Sequence, residues 1–333
     1  MEAIQNLLGY FMGIPFALIA TVLLMIFKPF KEKILGLDRG RAFVIGSEVN
    51  KNKPTGVGIY FIAVFIICAL AYGHLSIGWV LFLIVMAGCC LCGYLDDVSR
   101  TPWNEYIKGG LDFVIAIFTA IIVVLQWNSD MFLPTGNWVG INPFLYIFLA
   151  IILVIVSINA TNATDGVDGL SGTLSIITIL TLIIAAFIRG TLNPNSALIG
   201  FLMIAVLIGY LIFNFHPSKV LMGDAGSRAI GLFIAFYAMF LDLPFAYLIV
   251  GLPFMLDGGL SVLKITIGRL STKLLKKKIL ILPNTVTPIH DHLKQVKGFS
   301  IKKTYFTICA FALIVDCCYL GFLMIIKLAS MFF

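Results

Sequence analysis

The sequence predicts an all-α fold: a polytopic integral membrane protein of ten transmembrane helices with both termini outside. Three observations carry this. The 333 residues are 60% hydrophobic and only 12% charged, where soluble domains carry roughly 25% charge, and the mean hydropathy is +1.05. Long apolar runs must be helices, because backbone groups in lipid have to bond within their own segment, and the two-residue alternation of a membrane barrel is absent. Third, 21 of the 23 Lys and Arg fall in alternate loops, with only Arg189 and Lys327 opposite. Basic loops stay in the cytoplasm, which sets the orientation.

The apolar segments run at about 4–27, 56–73, 76–95, 111–127, 142–160, 171–188, 196–215, 229–242, 243–263 and 304–326. The first lacks a basic start and an A-x-A-like site, so it reads as a retained span rather than a cleaved signal. Several are near the ~20 residues that cross a bilayer; 229–242 is short, which implies a tilt or different bounds. No repeat or low-complexity tract breaks the chain, so 1–333 reads as a single membrane domain. The net charge of +7 follows from topology and points to a lipid bilayer, with no nucleic acid as partner. The seven Cys form no metal pattern. Cys89, Cys90, Cys92, Cys317 and Cys318 lie in apolar segments and read as small core residues.

The inner loops hold the chemistry. Gly93-Tyr94-Leu95-Asp96-Asp97, followed by Arg100 and Lys108, puts two adjacent carboxylates at the inner end of a span, which is costly unless they are solvated, paired or bound to a cation. Mg²⁺ bridges such carboxylates to phosphates, or one of them acts as a general base. Asn159-Ala160-Thr161-Asn162-Ala163-Thr164-Asp165-Gly166-Val167-Asp168-Gly169 follows the fifth span. On a helix Asp165 and Asp168 would share a face, and the stretch suits sugar hydroxyls, a base edge or a hydrated cation. Beside these readings stand plain structural ones: a solvated helix end and an Asx-rich cap.

Farther on, Asn214 and His216 lead into Met222-Gly223-Asp224-Ala225-Gly226-Ser227-Arg228. This is an anion- or metal-binding turn with amides free at a helix start, or a simple N-cap. His290-Asp291-His292 could hold a metal, but Zn needs further ligands and none is local; the pair could also donate to phosphates. Lys51-Asn52-Lys53-Pro54-Thr55-Gly56 offers positive charge and flexible backbone to a pyrophosphate. The stretch from Gly258 to Ile281 reads as a helix reaching out of the membrane or along its surface, with Lys276, Lys277 and Lys278 suited to anionic headgroups. All five motifs fall on one side, which makes one cytoplasmic-side site the joint expectation.

These motifs, in this order, resemble the polyprenyl-phosphate N-acetylhexosamine-1-phosphate transferase superfamily over Lys51 to Ser300. The resemblance implies ten transmembrane helices, a homodimer, Mg²⁺ and a bacterial plasma-membrane location. It implies transfer of phospho-MurNAc-pentapeptide from UDP-MurNAc-pentapeptide to undecaprenyl phosphate, forming lipid I and UMP. By the same resemblance Asp224 is the metal ligand. Asp96, Asp97, Lys108, His290 and His292 join it as catalytic residues. Lys51, Thr55, Asn162, Asp165, Asp168, Asn214, Gly223 and Asp291 line the substrate. Asp291 replaces a central His of the family, Arg100 a Lys, and Leu221 a Phe set against uracil in the muramoyl branch; the lysine before Thr55 is shifted. Pro288-Ile289-His290 and Thr164 favour the muramoyl branch, while His292-Leu293 and Gly298-Phe299-Ser300 resemble the sister branch that transfers GlcNAc-1-phosphate. A membrane carrier is the rival class; it would place ionisable groups deep in the bilayer, where only Asp257 and Asp316 fall.

Overall fold

The computed structural model describes residues 7–27, 35–38, 40, 51–127, 129–133 and 137–330. Of the first inner loop's basic residues, Lys28, Lys31, Lys33, Arg39 and Arg41 lie outside them. The helices are α1 (Gly9–Phe27), α2 (Gly58–Tyr72), α3 (Ile77–Val98), α4 (Glu105–Gln126), α5 (Pro143–Thr164), α6 (Leu170–Arg189), α7 (Pro194–Asn214), α8 (Gly223–Phe240), α9 (Pro244–Val250), α10 (Leu252–Leu275), α11 (Ile289–Gln295) and α12 (Ile301–Ala329). Two small antiparallel ribbons accompany them: β1 (Gly36–Leu37) with β2 (Pro54–Thr55), and β3 (Asp130–Phe132) with β4 (Trp138–Gly140). Among the described residues seven helices are long and apolar enough to cross a bilayer, or eight if α9 and α10, bent by 56° at Gly251, count as one span.

The helices outrun the apolar segments at the motif end. α3 continues to Val98, α4 starts at Glu105, α5 runs to Thr164 and α8 starts at Gly223. Polar last turns carry no hydropathy signal but keep their backbone bonds, so Asp96, Asp97, Lys108, Asn162 and Asp224 all stand on helix ends. Starts are set locally: Ser76, Asn104, Asn142, Asn193 and Ser300 each accept a first-turn N–H, the ordinary N-cap role of these residues.

α8 is the central helix. Ala225 to Met239 are all buried, and it packs on α3 and α5. A helix apolar on every face belongs inside a bundle. Small residues permit the approach: a Cβ on Gly58 would lie 2.1 Å from the Gly226 nitrogen, and one on Gly93 2.4 Å from the Asp224 carbonyl. Gly58→Ala therefore forces α2 away from α8, and we expect a loss of about 1–3 kcal/mol, as for overpacked cores, read as a lower melting temperature in detergent. At the far end Trp79, Phe82, Trp127, Phe236 and Phe240 pack together, Phe82 stacked on Phe236 at 3.6 Å. There Arg189 lies over the Phe132 ring at 3.6 Å and donates to the Leu241 carbonyl, pinning the β3–β4 ribbon to the helix ends.

All seven cysteines are free. Cys68, Cys89, Cys90 and Cys309 are core residues, whereas Cys317 and Cys318 are exposed on α12; apolarity of a segment does not say which face meets lipid. The two deep carboxylates are paired: Asp257 with His290, and Asp316 with the Thr181 hydroxyl at 2.7 Å.

Candidate active site

Lys108 joins two motifs. Its Nζ lies 2.5 Å from Asp96 Oδ2 and 3.0 Å from Asp224 Oδ2. Asn162 Nδ2 donates to the other Asp224 oxygen at 2.9 Å and to Ser227 Oγ at 3.2 Å. Three helix ends (α3, α4, α5) thus converge on the first turn of α8. Asp96 also accepts the Trp103 N–H at 2.6 Å, which folds the short α3–α4 loop back so that Lys108 can reach it. Asp224 remains partly exposed at 22%, so this carboxylate is open to a ligand.

Asp97 does a different job. Both its oxygens accept backbone N–H groups, from Asp224 and Ala225, at 3.0 Å each. Both readings of this helix start, free amides or an N-cap by Asp224 or Ser227, are therefore corrected: α3 supplies the cap from a distant part of the chain, and its Asp97 carboxylate already takes the N-terminal donors. Gly223 makes this possible, with φ +68 and no room for a Cβ, which would sit 2.3 Å from Asp97 Oδ2.

Beneath Asp224, one turn along α8, Arg228 pairs with Asp112, and Asn159 Nδ2 donates to the other Asp112 oxygen at 3.0 Å. Arg228 and Asp112 are 4% and 1% exposed. Arg228 was legible only as a basic residue of the loop; its pairing needs Asp112, which hydropathy hid inside a span.

The Asn–Asp stretch is not helical throughout. α5 ends at Thr164, Asp165 closes it, and Asp168 lies in the turn before α6. The expected shared helical face for Asp165 and Asp168 is thus corrected: Gly169, at φ +78, starts a new helix and breaks the periodicity. Asp168 accepts from His216 Nδ1 at 2.8 Å, Ser218 Oγ at 2.7 Å and Ser218 N at 3.1 Å. Lys53 Nζ donates to the same Ser218 hydroxyl at 2.9 Å. Asn214 is buried, taking the Gly169 N–H at 2.9 Å and giving to the Val220 carbonyl at 2.8 Å. Asp168 and Asn214 therefore lock the α5–α6 turn to the α7–α8 loop. Thr55 pairs with Gly36 in the first ribbon, and Lys51 is exposed in the turn before it.

Burial alone would raise the Asp168 pKa, but hydrogen bonds from His216 and Ser218 outweigh it and hold the carboxyl below its ordinary value. A depressed folded pKa adds stability above the unfolded value, about 3.9 for Asp, and loses it as pH falls through the folded value. Asp168→Asn should therefore melt earlier than the parent at pH 7, with the gap closing in acid below that range; thermal scans across pH check this.

His290 is wholly buried, its Nδ1 2.8 Å from Asp257 Oδ2. His292 Nδ1 accepts the Val286 N–H at 3.4 Å, and Asp291 pairs with Lys294 at 2.9 Å. The two imidazoles do not converge as metal ligands. Among the described residues no three His, Cys, Asp or Glu side chains form a preformed metal cage. Mg²⁺ needs no such cage: it takes one or two carboxylates and completes its shell with water and phosphate oxygens. The hard oxygen donors of Asp224, partly exposed at 22%, fit that ion.

Residues 79–242 match the model of glycosyl transferase family 4. The chain is 35% identical over 285 residues to the phospho-N-acetylmuramoyl-pentapeptide-transferase of Treponema pallidum, covering 80% of this chain and 77% of that one. The chain belongs to that transferase family. Same-named proteins of Lacticaseibacillus paracasei and Shouchella clausii are 29% and 28% identical, over 76% and 83% of this chain and 78% and 86% of theirs. Family membership and the apolar helices make it a multi-pass transferase of the bacterial inner membrane. The matched span 79–242 contains the Asp96–Lys108–Asn162–Asp224 cluster, so the part shared with the family is the part that converges.

Proposed function

We propose that the chain transfers phospho-MurNAc-pentapeptide from UDP-MurNAc-pentapeptide to undecaprenyl phosphate, releasing UMP and forming lipid I for peptidoglycan. The observation that carries this is Lys108 bridging Asp96 and Asp224, with Asn162 on the opposite oxygen of Asp224. Such a cluster offers both carboxylate and cation to two phosphorylated substrates. The reading takes ten spans, with α2, α8 and the bent α9–α10 added to the seven long helices; the basic loops then argue for both termini outside and the cluster at the cytoplasmic mouth. A homodimer rests on the family resemblance.

An oxygen of the lipid phosphate attacks the phosphorus bearing the sugar. The bond from that phosphorus to the bridging oxygen breaks, and UMP leaves with the electron pair. Asp96 is better placed than Asp97 to take the proton of the lipid phosphate. Asp96 Oδ2 is held by a lysine that can swing, whereas the partners of Asp97 are amides fixed in α8. Lys108 and Asn162 fix the two oxygens of Asp224, and Lys108 would hand over to a phosphate oxygen once the substrates enter. Mg²⁺ held by Asp224, when bound, would neutralise pyrophosphate charge and favour departure of UMP.

Lys108→Met keeps the stem and removes the charge. We expect turnover to fall about 10²-fold or more, as on loss of a transition-state donor, with the chain still folded; steady-state UMP release reads it. For the substrate, purified protein in nanodiscs with undecaprenyl phosphate is offered either UDP-MurNAc-pentapeptide or UDP-GlcNAc. Lipid product from the first supports this reading, and product from the second alone assigns the sister branch.

A further inference from the structure

The His290 ring is held from one side only. Its backbone N–H donates to Asp257 Oδ1 at 2.7 Å, and Nδ1 lies 2.8 Å from Asp257 Oδ2. Both residues are buried, at 0% and 2% exposure. Asp257 belongs to the π-helical turn Met255–Gly259, just beyond the 56° bend between α9 and α10. Such turns are frequent at functional positions, because they re-aim one side chain inside an otherwise regular helix.

An ionised carboxylate only accepts hydrogen bonds. With the backbone N–H on one oxygen and Nδ1 on the other, the ring nitrogen facing Asp257 carries a proton. Nε2 points away and has no hydrogen-bond partner. Asp291 Oδ1 lies 3.6 Å from it, beyond hydrogen-bond distance, and is itself paired with Lys294 at 2.9 Å. Nε2 lies against Gly166, where a Cβ would come within 2.3 Å of it. Gly166 follows Asn162 by four residues, and Asn162 bonds Asp224. A buried polar nitrogen without a partner is costly unless a ligand completes it.

We infer that Asp257 is a positioning residue, which loads the proton of His290 on Nδ1 and presents Nε2 to the nucleotide-sugar substrate at the Asp165–Gly169 turn. This rests on the transferase reading above. A carboxylate behind a histidine selects the tautomer and orientation of the ring, so the far nitrogen acts on the substrate. Asp257 also balances the imidazolium that forms when Nε2 is protonated, the form that donates to a phosphate oxygen. The sequence hid this pair, because Asp257 sits in an apolar run 33 residues before His290.

The test reads the ring directly. The chain has four His, so ¹⁵N-histidine spectra of nanodisc-embedded protein are tractable, with His290 identified by His290→Gln. We expect the His290 proton on Nδ1 in the parent. In Asp257→Asn the carbonyl keeps the backbone N–H, the amide donates to Nδ1, and the ring proton moves to Nε2. Turnover should fall ~10²- to 10⁴-fold, as when a triad Asp is made Asn, while KM for the nucleotide sugar changes less than about threefold. Asp257→Glu, which keeps an accepting group, should retain the Nδ1 proton and recover activity. A parent proton on Nε2, an unchanged tautomer in Asp257→Asn, or a loss carried by KM alone overturns the inference. Should Asp257→Asn not fold, the parent tautomer decides by itself. A parent that turns over no nucleotide sugar sinks the transferase reading, while the tautomer result still judges the pairing.

Discussion

Asp224→Asn is expected to abolish transfer while the protein still inserts and melts as the parent does. The carboxylate is the meeting point of the site: Lys108 holds one oxygen at 3.0 Å and Asn162 the other at 2.9 Å. The amide has the same shape, so the α8 first turn and its Asp97 cap, which uses backbone N–H groups, are left alone. What disappears is a full negative charge beside Lys108 and the donor for a hard cation. Loss of one such electrostatic element costs at least about 10²- to 10³-fold in kcat, and more where a metal goes with it. UMP release at saturating substrates, with thermal unfolding as the control for folding, gives the answer. Full activity in this variant with Mg²⁺ present would remove Asp224 from the chemistry.

Arg228→Met should cost more stability than any other single change to the inner end. The guanidinium and the Asp112 carboxylate are both buried, with Asn159 as the third partner. Removing one partner of a buried ion pair strands the other charge, typically at about 3–5 kcal/mol. The effect also reaches the site, since Arg228 stands one helical turn from Asp224. The double change Arg228→Met with Asp112→Leu replaces the pair by apolar groups, and such replacements are often neutral or stabilising. We therefore expect the double variant to regain most of the melting temperature that the single one loses. Equal losses in the single and double variants would mean that the pair is not an energetic unit.

Hydropathy and charge located the helices well but not their ends. Spans stop in hydropathy where polar turns begin, so the apolar run 111–127 hid a helix starting at Glu105, and with it the reach of Lys108. The motif residues were legible as types because repeated Asp and Asn at span ends have few structural uses. Their division of labour was not. Asp97 and Asp96 are neighbours in sequence, yet one caps α8 and the other pairs with Lys108, a difference set by which side of α3 faces which helix. Asp168 and Asn214 read as substrate contacts, and their atoms turn out to bind two loops together. Asp112 was passed over, and Asp257 was noted only as a deep carboxylate, because single carboxylates in apolar runs carry no pattern; their partners, Arg228 and His290, are 116 and 33 residues away.

The measurement that bears most directly on the transfer chemistry follows one phosphorus. UDP-MurNAc-pentapeptide labelled on the phosphate next to the sugar is incubated with undecaprenyl phosphate and the nanodisc-embedded protein. The proposed attack moves that label into the lipid product and leaves unlabelled UMP in solution. Release of labelled UDP, with an unlabelled lipid, would mean that the sugar–oxygen bond is the one broken, and the account of a phosphosugar transferase would be wrong.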